Sequence, residues 1–396
     1  MKESIYFIFY LYYEWSQCIE RSLIKAFAQE VYPNRVLVIN RPGELIVSPL
    51  NRKVRRIDRL ISSLPGKNLE YIADNLTLLR PFLFINDYIG SFVPGLNSVQ
   101  KFWLRGLLNV TGLGPKDDER VITWIFSPKH WPFADTFPSE CVIYQPVDEY
   151  TVAMDGRQNK RVIAEESKAL AKSDIVFTLS DELAGKKSLL HGNVHCLGQG
   201  VDYQLFSKAL DSHTLVPQEL VNIPQPRIGM VGNIRAWIDF ELVESLLKKR
   251  PDWSVVFIGR KDPSAEGLLD SLTKYPNFFW LGPKPYEDIY KWLAGFDVGI
   301  IPYHPTGVIQ FAKPGKLYEY WAAGLPAVIT RIGGYKPIEN CLWVADSADE
   351  FIADVQEALA AHSPAQKEAR LQVAKPFAWE NVVRRALSLL QNVKLF

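Results

Sequence analysis

Short apolar runs recur along this chain of 396 residues, and they constrain its fold more than any other feature. Turn residues or a helical pattern follow each run, which is typical of parallel strands covered on both faces. The runs in the first half are Ile5–Phe9, Val36–Ile39, Leu69–Ile72, Val121–Phe126, Val142–Tyr144, Ile175–Leu179 and Val194–Leu197. Those in the second half are Ile228–Val231, Val255–Ile258, Phe278–Leu281, Val298–Ile301, Ala327–Thr330 and Leu342–Val344.

This pattern predicts two α/β domains, each with a doubly wound parallel sheet, since the chain is too long for one typical core. A proline-rich stretch without helical period predicts a linker at 211–226. The first domain then covers 1–210 and the second covers 227–375. A final helix in 376–396 is expected to pack back on the first domain. Ligands lie beyond the carboxyl ends of strands in such sheets, so two facing sheets are expected to form one cleft for two substrates.

The composition excludes several classes of protein. A formal net charge of +1 gives no reason to expect a nucleic-acid partner, which normally requires a strongly basic domain. The four cysteines lie scattered without a CxxC pair and predict buried thiols in a reducing compartment. The apolar opening, residues 4–13, is shorter than the roughly 20 residues of a membrane span and predicts a first strand. We therefore expect a cytoplasmic protein.

A helix start beyond a strand end predicts an anion site in residues 303–330. Pro314 and Gly315 mark the start of this helix, and Gly324 marks its end. The start of a helix presents free N–H groups and a partial positive charge, and it follows the strand "DVGIIPY" directly. This arrangement predicts that the segment binds an anionic ligand.

Three charged residues accompany this helix start. Lys313 and Lys316 add full positive charges, and a diphosphate is the expected anion. Glu319 lies one turn beyond Lys316 on the same face, where a carboxylate accepts hydrogen bonds from the vicinal hydroxyls of a ribose. The alternative is that Lys316 and Glu319 form an ordinary ion pair on an exposed helix face.

The run "KLYEYWAAGLPAV" resembles the donor-binding segment of GT-B glycosyltransferases of the family-4 kind, in which a lysine, a glutamate and A-x-G-x-P recur. Other segments resemble this family in the same order along nearly the whole chain: "LGQGVDYQLF", "RIGMVGNIRAWIDFELV", "NFFWLGPKPYEDIYKWLAGFDVGIIPY" and "FAWE". The resemblance implies a nucleotide-sugar donor, UDP- or GDP-linked, with Glu319 on its ribose and Lys316 on its diphosphate. It implies a saccharide or lipid-linked saccharide as acceptor, in cell-surface polysaccharide synthesis.

Further donor-site residues are expected in the loops that follow the strands of the second domain. They are Gly232, Asn233, Arg260, Gly282, Pro283, His304 and Gly315. The resemblance places Gly282 near the nucleobase. Arg260 and His304 have the alternative of being ordinary loop residues. The chain departs from the family at Asn233, where an arginine is frequent, and at Phe311, where many members have a second glutamate near the transferred sugar.

A carboxylate at a strand end in the first domain is the candidate general base. The strand "CVIYQP" leads to Asp148 and Glu149, and "VIYQPVDEY" resembles a segment of bacterial exopolysaccharide and teichuronic-type transferases in which an aspartate is the base. We predict Asp148 as base, with Glu149 as the second candidate. The alternative is that Asp148 caps the next helix. His130 lies beyond another strand end, and the resemblance makes it a further candidate near the transferred sugar, where family members often have a histidine.

With Asp148 as base, a single displacement with inversion is the simpler mechanism. We expect no cofactor and no required metal, because Asp117–Glu119 precedes a strand after a proline and is typical of a solvated turn. Two rival functions remain open at this point. One is a GT-B nucleotide-sugar epimerase, which needs no acceptor, and the other is a non-catalytic assembly subunit that retained the fold.

Two segments of the first domain suggest contact with a membrane. A basic run occupies 52–59, and 99–110 combines Phe102, Leu104 and Leu108 with lysine and arginine, as interfacial segments on anionic lipid do. A solvated loop and a core helix are the alternatives. If the membrane contact is real, the protein binds peripherally at the inner face of the plasma membrane.

Overall fold

The computed structural model describes residues 4–11, 15, 20–40, 43–46, 68–85, 95–152 and 156–391. The described residues divide into two compact units. The first unit takes the chain up to Thr151, Gln158–Gly198 and the chain from Val383 onward. The second takes Val152–Arg157 and Gln199–Val382, so the stretch predicted as a linker lies inside it and contains a short helix, Gln218–Val221.

The first unit is built on one large sheet. Its strands, and those of a small second sheet, are β1 (Ser4–Tyr10), β2 (Arg35–Ile39), β3 (Gly43–Ile46), β4 (Leu69–Ala73), β5 (Leu76–Leu79), β6 (Phe82–Ile85), β7 (Glu119–Ile125), β8 (Cys141–Tyr144), β9 (Ile175–Thr178) and β10 (Val194–Cys196). The large sheet has the order β10-β9-β8-β7-β1-β2-β5-β4, and β3 pairs with β6. Apart from β4, neighbouring strands run parallel.

The edge strand β4 departs from the predicted pattern of parallel, doubly covered strands. It runs antiparallel to β5, and Tyr71 near its centre is 72% exposed. Only Asp74 and Asn75 separate the two strands, and a connection this short can join only antiparallel neighbours. No separate apolar run was recognised for β5, although its side chains lie largely buried beside β2.

The second unit has a fully parallel sheet with the order β13-β12-β11-β14-β15-β16. Its strands are β11 (Arg227–Val231), β12 (Ser254–Ile258), β13 (Phe278–Trp280), β14 (Val298–Ile301), β15 (Ala327–Thr330) and β16 (Leu342–Ala345). All residues of β11, β12, β14 and β15 are buried. Continuous apolar runs of this kind are what a sheet covered on both faces requires, and all six were predicted from them.

Helices cover the sheets of both units. They are α1 (Glu20–Glu30), α2 (Leu96–Val110), α3 (Lys160–Lys172), α4 (Asp181–Ser188), α5 (Tyr203–Phe206), α6 (Gln218–Val221), α7 (Phe240–Lys249), α8 (Leu268–Leu272), α9 (Ile289–Leu293), α10 (Gly315–Ala322), α11 (Ala348–Ala358), α12 (Pro364–Ala374) and α13 (Trp379–Gln391). Asp239 caps α7, since its side chain accepts a hydrogen bond from the Leu242 N–H.

The last helix, α13, belongs to both units, because the division falls at Val383. In its later part, Arg384 Nη2 donates to Glu30 Oε1 at 2.6 Å, and Arg385 Nη2 donates to the Leu197 carbonyl at 2.8 Å. Both partners are residues of the first unit. The carboxyl-terminal part of α13 therefore packs within that unit.

Two paired glycines fix how α10 packs on its sheet. Gly229 of β11 lies opposite Gly299 of β14. A Cβ at Gly299 would lie 2.4 Å from the Tyr320 ring, and a Cβ at Gly229 would lie 2.0 Å from the Phe296 ring. The Tyr320 hydroxyl accepts a hydrogen bond from the Val231 N–H at 3.1 Å. The glycine at position 299 thus lets Tyr320 anchor α10 against the two central strands.

Candidate active site

The central strands of the second sheet determine where the candidate site lies. The chain fills one half of the sheet from β11 to β13 and returns to the middle at β14. The carboxyl ends of β11 and β14 therefore border the crevice where the strand order reverses, which is the usual ligand position in open α/β sheets. Gly232 follows β11 at this place, and Tyr303 lies just beyond β14.

Helix α10 begins at Gly315, close to its predicted start. Pro314 occupies the N-cap position, and no side chain caps the helix. The Leu317 N–H donates to the Pro314 carbonyl at 3.1 Å, and the N–H groups that precede it lie at the positive end of the helix dipole. Binding of an anion at this helix end stays a prediction.

The Lys316 side chain reaches both strand ends. Its Nζ donates a hydrogen bond to the Tyr303 hydroxyl and lies 5.0 Å from the centroid of the Tyr303 ring. A Cβ at Gly232 would lie 3.0 Å from Lys316 Cε and 3.3 Å from Nζ. Gly232 has φ 127°, which favours glycine. The structure thus brings the predicted Lys316 and Gly232 together.

Glu319 lies one turn further along α10 and is half-buried. Burial raises the pKa of its carboxyl from the ordinary 4.5 to about 7; the charge of Lys316 opposes this shift, and the charge of Asp202 adds to it. Within the described part of the chain, this carboxyl has no hydrogen-bond or ion-pair partner. The alternative of an exposed ion pair with Lys316 is therefore wrong. An unpaired, partly desolvated carboxyl is typical of a binding site.

Lys313 points to a different loop. Its Nζ donates to the Gly333 carbonyl and lies 4.3 Å from the centroid of the Tyr335 ring. Its ammonium is therefore already bound by the protein, whereas Lys316 is the lysine that meets the strand ends. A direct contact between Lys313 and a diphosphate stays a prediction.

The predicted nucleobase turn lies against the end of β12. The Gly259 N–H donates to the Gly282 carbonyl at 2.9 Å, and Trp280 Nε1 donates to the Gly259 carbonyl at 3.0 Å. A Cβ at Gly282 would meet no atom within 4 Å, so its φ of 69°, not crowding, favours glycine there. Pro283 is exposed directly after it. These contacts position the turn and leave Pro283 accessible.

The loops after β11 and β12 are joined by main-chain contacts. The Ile234 N–H donates to the Arg260 carbonyl at 3.0 Å. Asn233 is exposed beside this contact, and Arg260 is half-buried. Both therefore lie at the carboxyl edge of the sheet, where the sequence placed them.

His304 lies beside the start of α7. Its Nδ1 is 3.4 Å from Asp239 Oδ2, and its main-chain N–H donates to the Trp237 carbonyl at 2.8 Å. Asp239 also caps α7, so the imidazole packs against that cap. These contacts favour the alternative that His304 is an ordinary loop residue. A contact between His304 and a donor stays a prediction.

Asp148 follows β8 in the first unit and is exposed to solvent. The protein atoms around its carboxyl nevertheless displace part of the hydrating water, and this desolvation raises its pKa from 3.8 to about 6. The next helix, α3, is capped by the Asn159 side chain, which accepts hydrogen bonds from Arg161 and Val162. The alternative of a cap at Asp148 is therefore wrong. An accessible carboxyl with a raised pKa suits a general base.

Glu149, the second candidate base, points into the protein. Its Oε1 accepts hydrogen bonds from the Thr151 hydroxyl at 2.5 Å and lies 3.5 Å from Lys187 Nζ. Burial raises the pKa of Glu149, but the hydrogen bonds from Thr151 and the charges of Lys187 and Lys186 outweigh it and hold the pKa below its ordinary value. A buried carboxylate held in this way is poorly suited to accept a proton, and the geometry favours Asp148.

Lys187 joins Glu149 to a second buried carboxylate. Its Nζ lies 2.6 Å from Glu166 Oε2, and the Tyr144 hydroxyl donates to Glu166 Oε1 at 2.9 Å. The side chains of Lys187 and Glu166 are each 3% exposed. Sequence reasoning missed this group, because its members come from β8, α3 and α4.

His130 lies in a 3-10 helix beyond β7, and its ring is 6% exposed. The ring lies 6.2 Å from that of Tyr10, at the end of β1. β1 and β7 are the neighbours between which the strand order of the first sheet reverses. His130 thus lies at the ligand position of its own sheet. A contact with the transferred sugar stays a prediction.

Two comparisons of sequence bear on this site. Residues 225–361 match a family model described as glycosyl transferases group 1. Over 288 residues the chain is 26% identical to a putative teichuronic acid biosynthesis glycosyltransferase of Bacillus subtilis, covering 68% of this chain and 71% of that protein. The matched family segment includes α10, β11 and β14.

Solved structures resemble the whole chain. Sucrose-phosphate synthase from Thermosynechococcus elongatus superposes with a TM-score of 0.68 at 14% identity, covering 98% of both chains. The Anabaena protein HepE, in complex with UDP, gives a TM-score of 0.66 at 12% identity, covering 98% of this chain and 100% of that one. At these identities the likeness shows the fold, two parallel-sheet domains in one chain.

Proposed function

Because this chain is a GT-B glycosyltransferase of the family-4-like kind, we propose that it transfers a sugar from a UDP- or GDP-linked donor to a saccharide or lipid-linked saccharide in cell-surface polysaccharide synthesis. One observation carries this proposal: α10 presents Lys316 and an unpaired Glu319 on one face, beside the crevice where the strand order reverses. The comparisons favour a transferase over the epimerase and the assembly subunit.

The donor is proposed to lie along the first turn of α10. Lys316 and the first N–H groups of that turn bind the diphosphate, which carries the charge that a helix start attracts. Glu319 accepts hydrogen bonds from the two ribose hydroxyls, and Gly282 and Pro283 border the base. UDP is the first nucleotide to test, since UDP-glucose was bound in a structure of the similar HepE.

The proposed reaction is a single displacement. An acceptor hydroxyl transfers its proton to Asp148 as its oxygen bonds the anomeric carbon, and the bond from that carbon to the diphosphate oxygen breaks. The departing nucleoside diphosphate takes the electron pair, and Lys316 and the helix dipole stabilise its charge. The raised pKa and the accessibility of Asp148 support this assignment.

Glu319→Ala is expected to abolish the thermal shift that UDP gives the wild type. The variant loses two charge-assisted hydrogen bonds to the ribose, each worth about 1.5–3 kcal/mol, so the Kd for UDP is expected to rise about 100-fold or more. The rise in melting temperature depends on the ratio of UDP concentration to Kd, so it disappears at UDP concentrations that stabilise the wild type. Differential scanning fluorimetry with a UDP titration measures it.

The same variant separates binding from folding. The pKa of Glu319 is higher in the folded protein than in the unfolded chain, so ionising this carboxyl destabilises the fold. That destabilisation is absent below about pH 4.5 and complete above about pH 7. The ligand-free Glu319→Ala protein is therefore expected to melt no lower than the wild type at pH 8. Glu241→Ala, which removes an exposed helical glutamate, is the control that keeps the UDP shift. An undiminished shift in Glu319→Ala would refute the ribose contact.

We further propose that α2 touches the membrane that carries a lipid-linked acceptor. Its exposed side presents three apolar side chains at helical spacing: Val99, Phe102 and Val110. Leu104 and Leu108 were also predicted there, but they are buried in the core of the first unit. Among the helices that the structure describes, none is long and apolar enough to cross a membrane. The basic run at 52–59 lies outside the described residues.

The lysine of α2 contributes less charge to this surface than expected. Lys101 Nζ pairs with Asp135 Oδ1 at 2.9 Å, and Arg105 donates to the Thr136 carbonyl. The Asp135 carboxylate offsets the charge of Lys101, whereas the neutral Thr136 carbonyl leaves the charge of Arg105 in place. Burial of the apolar side chains is therefore proposed to supply most of the free energy with which α2 binds a membrane.

Phe102→Ser is expected to weaken binding to vesicles of phosphatidylcholine and phosphatidylglycerol by about tenfold or more. Phe102 is 81% exposed, so its burial in the lipid interface contributes about 1.5–3 kcal/mol and its removal costs the fold little. Vesicle sedimentation measures the bound fraction. Leu215→Ser, at an exposed leucine of the second unit, is the matched control. Equal binding by Phe102→Ser and the wild type would exclude this surface.

A further inference from the structure

Tyr303 lies two residues beyond the end of β14. Hydrogen bonds fix its main chain to Thr330 at the end of the neighbouring strand, β15. The Tyr303 N–H donates to Thr330 Oγ1 at 3.2 Å, and the Thr330 hydroxyl donates to the Tyr303 carbonyl at 2.6 Å. The side chain is 5% exposed, and its ring lies 6.2 Å from that of Trp237. Tyr303 is therefore a rigid group at the crevice.

Lys316 is a flexible side chain in the same place. A lysine ammonium moves on four carbon atoms, and binding an anion with it requires that its rotamers be fixed. Tyr303 fixes it in two ways, since the hydroxyl accepts a hydrogen bond from Nζ and the ring face lies 5.0 Å from the charge. Gly232 lies close to the same side chain, where a Cβ would be 3.0 Å from Lys316 Cε.

We infer that Tyr303 is a positioning residue, which holds the Lys316 ammonium at the ends of β11 and β14 for the donor diphosphate. This inference rests on the proposed function. Because the position is held before the donor arrives, less side-chain entropy is lost on binding. Tyr303 acts through Lys316, so its contribution depends on both the lysine and the phosphates.

Tyr303→Phe tests this dependence. The substitution removes one oxygen and keeps the ring. It is expected to raise the Kd for UDP about two- to tenfold, because the Lys316 side chain must then be immobilised when UDP binds. Isothermal titration with uridine, which lacks phosphates, is expected to give an unchanged Kd. In a Lys316→Met background, Tyr303→Phe is expected to have no further effect on UDP binding.

The outcomes separate this inference from the proposed function. If the wild type binds neither UDP nor GDP, both are wrong. If the wild type binds UDP, three results would show that the inference alone is wrong. The Tyr303→Phe variant could bind UDP as tightly as the wild type, or it could lose affinity for UDP and uridine alike. The substitution could also weaken UDP binding by the same factor in the Lys316→Met background. Tyr275→Phe is the matched control: its hydroxyl contacts Glu244 in the same unit, and UDP binding is expected to stay unchanged.

Discussion

Asp148→Asn is expected to lower kcat by about 10²–10⁴-fold, the range that a positioned general base contributes. The amide has nearly the shape of the carboxyl but cannot accept the proton of the acceptor hydroxyl. Asp148 caps no helix, since Asn159 caps α3, so the fold is expected to be unaffected. UDP binding should stay at the wild-type level. The measurement is release of UDP from a UDP-sugar in the presence of acceptor.

The pH dependence of the wild type gives an independent check. The carboxyl must be ionised to act as a base, and its pKa is about 6. The ratio kcat/KM reports the ionisation of the free enzyme, so it is expected to rise with pH through about 6 and then level. Asp117→Asn, which changes an exposed turn carboxylate of the same unit, should keep the full rate and the same profile. Wild-type turnover by Asp148→Asn would place the base elsewhere.

Lys187→Met is expected to destabilise the first unit by about 3–5 kcal/mol. The lysine is the shared counter-charge of Glu149 and Glu166, at 3.5 and 2.6 Å. Methionine keeps most of the side-chain volume but removes the positive charge that the two buried carboxylates share. Removing one partner of a buried ion pair costs about 3–5 kcal/mol. Urea unfolding followed by tryptophan fluorescence measures the change.

The neighbouring lysine provides the control for this prediction. Lys186 Nζ also lies 3.5 Å from Glu149, at Oε2, but its side chain is 41% exposed. Lys186→Met is therefore expected to change the free energy of unfolding by less than about 1 kcal/mol. The lowered pKa of Glu149 means that its stabilising contribution is present above about pH 4.5 and declines as pH falls through the folded pKa. Equal effects of the two substitutions would contradict the assignment of Lys187 as the buried counter-charge.

The sequence predicted strands correctly where a single local rule, that a buried strand is a short apolar run, was sufficient. Each strand of the second sheet was predicted from an apolar run, and its four inner strands are buried throughout, as strands covered on both faces must be. The same rule was wrong in part for β4, whose two-residue connection to β5 makes it an antiparallel edge. Whether a strand lies at the centre or the edge of a sheet depends on its neighbours, and a single run carries no information about them.

The site was predicted in part. Lys316 and Glu319 share a helix face, and spacing along a helix is a local property. Asp148 and Glu149 are adjacent in sequence, yet one is exposed and the other buried. The partners that bury Glu149 include Lys187, which lies on another helix and also pairs with Glu166. No spacing in the sequence therefore distinguished Glu149 from Asp148.

The sequence by itself determined that two parallel-sheet domains form and that a helix with a lysine and a glutamate on one face begins after the fourth strand of the second sheet. Local propensity and periodicity suffice for this, since they act within a few residues. Only the tertiary structure decided that Tyr303 holds Lys316, and that Glu149 is neutralised while Asp148 is left accessible. Charge, burial and hydrogen bonding at these residues arise from groups distant in sequence, and folding alone brings those groups together.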